Sequence, residues 1–430
     1  MLILLLACSG DKDDSDAVAD LSAVVSPDVV TVVITTWSTA ESARALVHYS
    51  FDGLEFETPR GAPASGHRVD LRGIPSDTDV DIWVELEDGT LSETVSVTTG
   101  TLPTEMPTMT VEGSGQDGFL LTPLLGGTVG PIVVDGLGNI VWYHVDDSGL
   151  DVYRARMQGD GDGIIYNAAS VSGDPADDSR LIKVSWDGSS VEEIAVPLLA
   201  HDFVELDDGS IVAIVVEYGK DGAGAEVRGD SLVEILPDGT QTKIWSAWDC
   251  YDPDDEVGDD PELGWTFANA LDYDATEDAF LLSLRNFSSI VQIDRASGSC
   301  DWAIGGEAGT LTIDGDSFLH EHQFERTPTG IVVFDNSGAG GNASRAIEYT
   351  IDLDLDTATE VWSYKPVPSI YSFVLGDVHR YEDGDTLVTF SGAGELNRVT
   401  PDGDAEWVLN TELGTALGFV DPQDDLYLGD

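Results

Sequence analysis

Basic residues are scarce in this chain. Nineteen Lys and Arg stand against 81 Asp and Glu, a formal net charge of −62. A nucleic-acid backbone is repelled by such a balance, so no nucleic-acid partner is expected. Anionic small molecules are repelled too, unless a site supplies positive charge of its own. Hydrophobic residues make up 42% of the chain, which argues against global disorder, and the acidity reads as a solvated surface. Calcium is another use for carboxylates, but the stretch QGDGDGIIY lacks the spaced ligands and closing Glu of a calcium loop and reads as a turn. Helical signals are nearly absent. Histidine is rare at seven and cysteine rarer at three.

Long apolar runs are missing as well. The N-terminal MLILLLAC is too short to span a membrane and fits a secretory segment. LLAC resembles a bacterial lipobox, although no Lys or Arg precedes the run. Residues 1–8 are therefore expected to be a lipoprotein signal region, with Cys8 lipidated, and residues 9–20 an acidic linker. The membrane would be met only through that lipid, and the protein would be exported and anchored on the periplasmic side or the cell surface. An exported compartment permits a disulfide between the other two cysteines, Cys250 and Cys300.

An all-β protein is expected from the rest. Residues 21–103 contain short alternating strands such as VVTVVITTW and DVDIWVELE, separated by turns, which argues for a small β-sandwich. The pattern Trp37, Tyr49, Leu71, Trp83, Thr98 resembles a fibronectin type III-like module. Residues 104–430 repeat themselves. Trp142, Trp245, Trp302, Trp362 and Trp407 close successive strands, and Ile194 fills the same place between the first two. Six units of about 45–60 residues built from strands imply a six-bladed β-propeller.

The repeat also places the histidines. His201 lies eight positions before Gly209, His322 eight before Gly330, and Gly376 eight before Gly384. These positions enter the innermost strand of their units, where blades converge on an axis. The segments DVYRARM (151–157) and WTFANALDY (265–273) are the matching entries elsewhere.

Over roughly 120–410 the chain resembles the arylsulfotransferase family of exported bacterial enzymes, which do not use the nucleotide sulfate donor. The resemblance rests on HDFVELDDGSIV, GWTFANALDYDATEDAFLLSLRNFSSIVQID, HEHQFERTPTGIVVFDNSG and SRAIEYTIDL. It implies a six-bladed propeller, no cofactor, and small-molecule substrates: an aryl sulfate donor and a phenol acceptor. By motif, the family's covalent histidine falls on His322 and a second one on His201. The family arginine falls on Arg285 and an asparagine on Asn269. A further family histidine belongs at 267, where this chain has Phe267. That ring neither donates a hydrogen bond nor carries charge.

The implied chemistry is sulfuryl transfer through a sulfohistidine at His322, with Arg285 on the sulfuryl oxygens and His201 handling a phenol proton. Asn269 is a further donor, and Phe267 a ring against which an aromatic donor packs. His320 lies on the face of His322 if the strand there is regular, and then stands in for the missing histidine. Arg154 and Arg156 sit at an inner entry. A lost oxyanion donor costs about 2.7–4 kcal/mol in other enzymes, so the other reading is a ligand-binding propeller that has lost its chemistry. His320-x-His322 is formally a metal pair, but inner-strand carboxylate ligands do not accompany it, and no metal is expected.

Overall fold

The computed structural model describes residues 17–125, 130–170, 177–256, 258, 260, 263–337, 343–412 and 414–427. Cys8 lies outside them. The chain divides into two compact units, one up to Leu102 together with the C-terminal residues from Tyr427, the other Pro103–Leu426.

The first unit is a two-sheet sandwich. One sheet holds Val18–Val25, Val33–Ala43 and Ala64–Leu71; the other holds Leu54–Glu57, Ala45–Phe51, Asp79–Leu86 and Val95–Thr98. Alternation builds its core. Val80, Ile82, Val84 and Leu86 are buried on one face of their strand while the intervening residues are not. Trp37, Tyr49 and Leu71 join that core. Trp83, of the same sequence pattern, lies on the other face of its strand and stacks on His48 with ring centroids 5.3 Å apart.

The second unit is an all-β propeller. Among the described residues it contains six sheets of four or five strands, one for each repeat unit of the sequence. In chain order the innermost strands of the second to sixth sheets are Ala155–Met157, Leu199–Glu205, Ala268–Asp274, Phe324–Thr327 and Asp377–Arg380. The first sheet begins at Phe119–Leu125, and its inner strands come from the far end of the chain, Ala416–Leu417 and Asp421–Gln423. Met109–Gly113 in turn pairs with the outer strand Ala405–Thr411 of the sixth sheet. The two ends of the unit thus bind the first and last sheets together.

The tryptophan period has a physical role. The indole N–H of Trp142 donates to the carbonyl of Trp186 in the outer turn of the next sheet, at 2.8 Å. Trp362 donates likewise to Pro401, at 3.1 Å. Trp407 of the sixth sheet donates to Gly136 of the first, at 2.9 Å, which closes the circle. The second unit has Ile194 at this position, and the indole N–H groups of Trp245 and Trp302 are buried without a partner among the described residues.

On the axis the inner strands meet at one buried cation. Arg154 Nε lies 3.1 Å from Asp202 Oδ1, and Nη1 lies 3.5 Å from Asp377 Oδ2. Its guanidinium covers Phe419 at 4.6 Å. Asp202 also accepts from the N–H of Leu271 at 3.0 Å and from Gln323 Nε2 at 2.7 Å. Asp377 accepts from the N–H of Val420 at 2.8 Å. Arg154 with its two carboxylates therefore links residues of all six blades. Asp202, Gln323 and Asp377 each follow directly on the repeat positions His201, His322 and Gly376.

Candidate active site

The repeat positions open onto a pocket of about 250 Å³. It is lined by Leu125, Asp151, Tyr153, His201, Leu263, Phe267, Arg285, His322, Phe373, Val374 and Leu375. Four of the residues singled out from the sequence, His201, Phe267, Arg285 and His322, thus share one cavity. Gly376 supplies the sixth entry without a side chain. Its φ is +115°, and a Cβ there would stand 2.0 Å from the Phe334 ring.

Both histidines are buried, and both are neutral at pH 7. Burial pushes His322 down to about 3, against a hydrogen bond to Asn336 that raises it. Burial pushes His201 down to about 4, against its bond to the Ala268 carbonyl. His322 Nδ1 lies 2.8 Å from Asn336 Oδ1. His201 Nδ1 lies 3.2 Å from the Ala268 carbonyl, which can only accept. Nδ1 of His201 therefore carries the proton and Nε2 the lone pair.

Phe267 sits among cations. Its ring meets His201 edge-on with centroids 5.0 Å apart. The guanidinium carbon of Arg285 lies 5.7 Å from the Phe267 centroid and that of Arg228 5.8 Å from it. Arg228 was not legible as a site residue, since it comes from Glu226–Ile235, the third strand of its sheet, with no repeat signature there. Arg285 follows Ala279–Leu284 on a single 3₁₀ turn, and its Nη1 donates to Asn286 Oδ1 at 2.7 Å. Its Nη1 also lies 3.8 Å from Asp260 Oδ2, so a carboxylate faces this guanidinium.

Asn269 and His320 stand elsewhere. Asn269 is fully buried outside the pocket lining, and its Nδ2 donates to the carbonyl of Glu321 at 2.8 Å. It holds the backbone that presents His322. His320 does not share a strand face with His322. The inner strand starts only at Phe324, and His320 is a left-handed turn residue with φ +53°, its N–H donating to Ser288 Oγ at 3.1 Å. Period-two alternation does not extend through such a turn. Phe267, two residues before Asn269, has the same conformation, with φ +49°.

Arg154 lines no part of this pocket and Arg156 lies beyond it. A cavity of about 1070 Å³ opens at the other end of the inner strands, where Arg156 meets Glu205, Asp272 and Asp421. It is the larger space, but its lining includes six carboxylates and none of the histidines. Among the described residues no group of three or more His, Cys, Asp or Glu is arranged to hold a metal ion. The pocket's apolar half was missed in the sequence, because Leu125, Leu263 and Phe373–Leu375 follow no repeat. Asn336 was missed too, although it lies within the quoted motif as FDNSG.

Three comparisons bear on identity. No curated protein matches the chain. Solved structures that resemble it include a protein of unknown function from Bacteroides caccae, 12% identical with a TM-score of 0.46, covering 71% of this chain and 98% of that one. A periplasmic gluconolactonase of Pseudomonas aeruginosa is 13% identical with a TM-score of 0.40, covering 88% and 99%. A virginiamycin B lyase of Staphylococcus aureus is 11% identical with a TM-score of 0.36, covering 70% and 88%. The arylsulfotransferase family model matches residues 119–412, the stretch that contains the inner strands of the second to sixth sheets. By that match over most of its length, the chain belongs to the arylsulfotransferase family.

Proposed function

We propose that the protein transfers a sulfuryl group from an aryl sulfate to a phenol through a sulfohistidine at His322. The observation that carries this is the convergence of His322, His201 and Arg285 on one small pocket with apolar walls. Neutral imidazole is a nucleophile without prior deprotonation. His322 Nε2 attacks sulfur, the N–S bond forms, and the S–O(aryl) bond breaks with its electron pair leaving on the phenolate. In the second half-reaction the acceptor's oxygen bonds sulfur as N–S breaks, and its proton passes to His201 Nε2. Arg285 meets the charge on the sulfuryl oxygens. The walls formed by Tyr153, Phe267 and Phe373 suit an aromatic ring, and a donor bearing one negative charge suits a site with few cations.

We also infer export, with Cys8 acylated. Support comes from LLAC in the sequence and from the disulfide between Cys250 and Cys300, whose Cα atoms are 6.2 Å apart.

The test is release of nitrophenol from 4-nitrophenyl sulfate, which is expected only with a phenol present. Intact mass during turnover should show an adduct of about 80 Da on the peptide containing His322, and His322→Ala should abolish both. Phe267→His should raise turnover by about 10²-fold, one donor's worth of transition-state stabilisation. Its left-handed backbone tolerates histidine better than most side chains. Absence of adduct and of phenol-dependent release in both wild type and Phe267→His, across several aryl sulfates, would leave a ligand-binding propeller without this chemistry.

A further inference from the structure

We propose that Asn336 is the positioning residue of this pocket: one end of its amide sets the tautomer of His322 and the other end carries the aromatic wall opposite. The proposal rests on His322 as the nucleophile, but its geometry can be tested without turnover.

Asn336 follows the strand Gly330–Asp335 and is buried. Its Nδ2 donates to the carbonyl of Ser372 at 2.8 Å and to the carbonyl of Leu375 at 2.8 Å. Those carbonyls can only accept, so the amide cannot be flipped, and both of its hydrogens are used. Oδ1 is then the atom that faces His322 Nδ1 at 2.8 Å. An acceptor there requires the proton on Nδ1. A neutral imidazole has one proton, so the lone pair is on Nε2. The same contact favours the positive charge that develops on the ring when Nε2 bonds sulfur.

The other end of the amide bears on substrate. Phe373, Val374 and Leu375 line the pocket, yet Phe373 is 63% exposed and so is not held by packing. Leu375 has φ +49° and Gly376 φ +115°, two successive left-handed residues. A segment of that shape keeps its place through backbone bonds. Asn336 supplies two of them, and Ser344 Oγ accepts a third from the N–H of Ser372 at 3.0 Å. One side chain therefore contacts both the nucleophile and the aryl-facing wall. Losing it should affect both kcat, through the tautomer, and KM, through the wall.

Two variants separate these effects. Asn336→Asp keeps an acceptor for Nδ1–H and loses both donors. Asn336→Ala loses all three bonds. Long-range ¹⁵N–¹H spectra, with His322 assigned by its loss in His322→Gln, should show the Nδ1–H tautomer in wild type and in Asn336→Asp. In Asn336→Ala a population of the Nε2–H form should appear. With 4-nitrophenyl sulfate and phenol, kcat of Asn336→Ala should fall by about 10²-fold or more, as happens when a catalytic imidazole is left in the wrong tautomer. Asn336→Asp should recover part of kcat while KM for the donor stays raised. An unchanged tautomer in Asn336→Ala, or a folded Asn336→Asp with wild-type KM, overturns the proposal. Should Asn336→Ala not fold, Asn336→Asp alone decides. If wild type shows no phenol-dependent turnover, the nucleophile reading fails, while the spectra still decide whether Asn336 sets the ring.

Discussion

Burial changes what each polar side chain of the pocket can do. His201 and His322 lose their ordinary protonation near pH 6.5 and stay uncharged far into acid. Glu321, next to the nucleophile, is affected in the opposite sense. It is fully buried, accepts from Ser283 Oγ at 2.9 Å, and burial pushes it up to about 8. At pH 7 it is mainly a neutral acid, equivalent in shape and charge to glutamine. The sign of the linkage follows. The folded state holds this proton above the pH at which the unfolded chain gives it up, so stability is full below about 4.5 and falls as pH rises toward 8. Glu321→Gln removes the ionisation and keeps the shape. Its melting temperature should equal that of wild type near pH 4.5 and exceed it increasingly up to pH 8. Thermal melts of both proteins across that range would show a constant difference if Glu321 were already ionised in the fold.

At the scale of elements, the turns that enter the inner strands determine which side chains reach the pocket. Phe267 is held in its left-handed turn by Asp230, which accepts from Thr266 Oγ1 at 2.5 Å and from the N–H of Ala268 at 2.7 Å. That turn also presents the Ala268 carbonyl to His201. Neither fact shows in a reading of alternating residues, which is why His320 was expected on the wrong face. The disulfide acts between elements. Cys250 follows the outer strand Gln241–Ser246 of the third sheet, and Cys300 begins the outer strand of the fourth, 50 residues later. Closing a loop of that length in the unfolded chain is worth roughly 4 kcal/mol in the chain-entropy model. Replacing both cysteines by alanine should lower the unfolding free energy by about that amount, read from the denaturant midpoint under non-reducing conditions. No change in the midpoint would mean that the bridge adds nothing to the fold.

For the molecule as a whole, closure of the propeller puts a charge where no sheet alone would hold one. Burial pushes Asp202 up, but Arg154 and Arg156 outweigh it and hold the carboxylate below its usual range. Asp377 differs: burial pushes it up to about 7 despite the same Arg154. The pair that carries full charge is therefore Arg154 with Asp202. Removing one member of a buried pair leaves the other unmatched, at a cost of about 3–5 kcal/mol. Arg154→Met should lose that much in equilibrium unfolding, and Asp202→Asn in the Arg154→Met background should recover part of it. Simple additivity of the two substitutions would show that the axial cluster is not coupled.

Much of this was legible in the residues. The all-β class follows from alternation and turns, and the repeat follows from a tryptophan period, three of whose five indoles bond the next sheet. His201 and His322 were identifiable as partners because each sits at the same distance from its turn glycine, and a closed repeat brings equal positions together. Their pocket, however, has walls that no repeat encodes. Asn336 and Phe373 are brought to it by long-range contacts, from segments whose local sequence has no period. The tautomer of His322, the low basicity of both histidines and the neutral Glu321 depend on desolvation and on single hydrogen bonds. Those are properties of the packed interior.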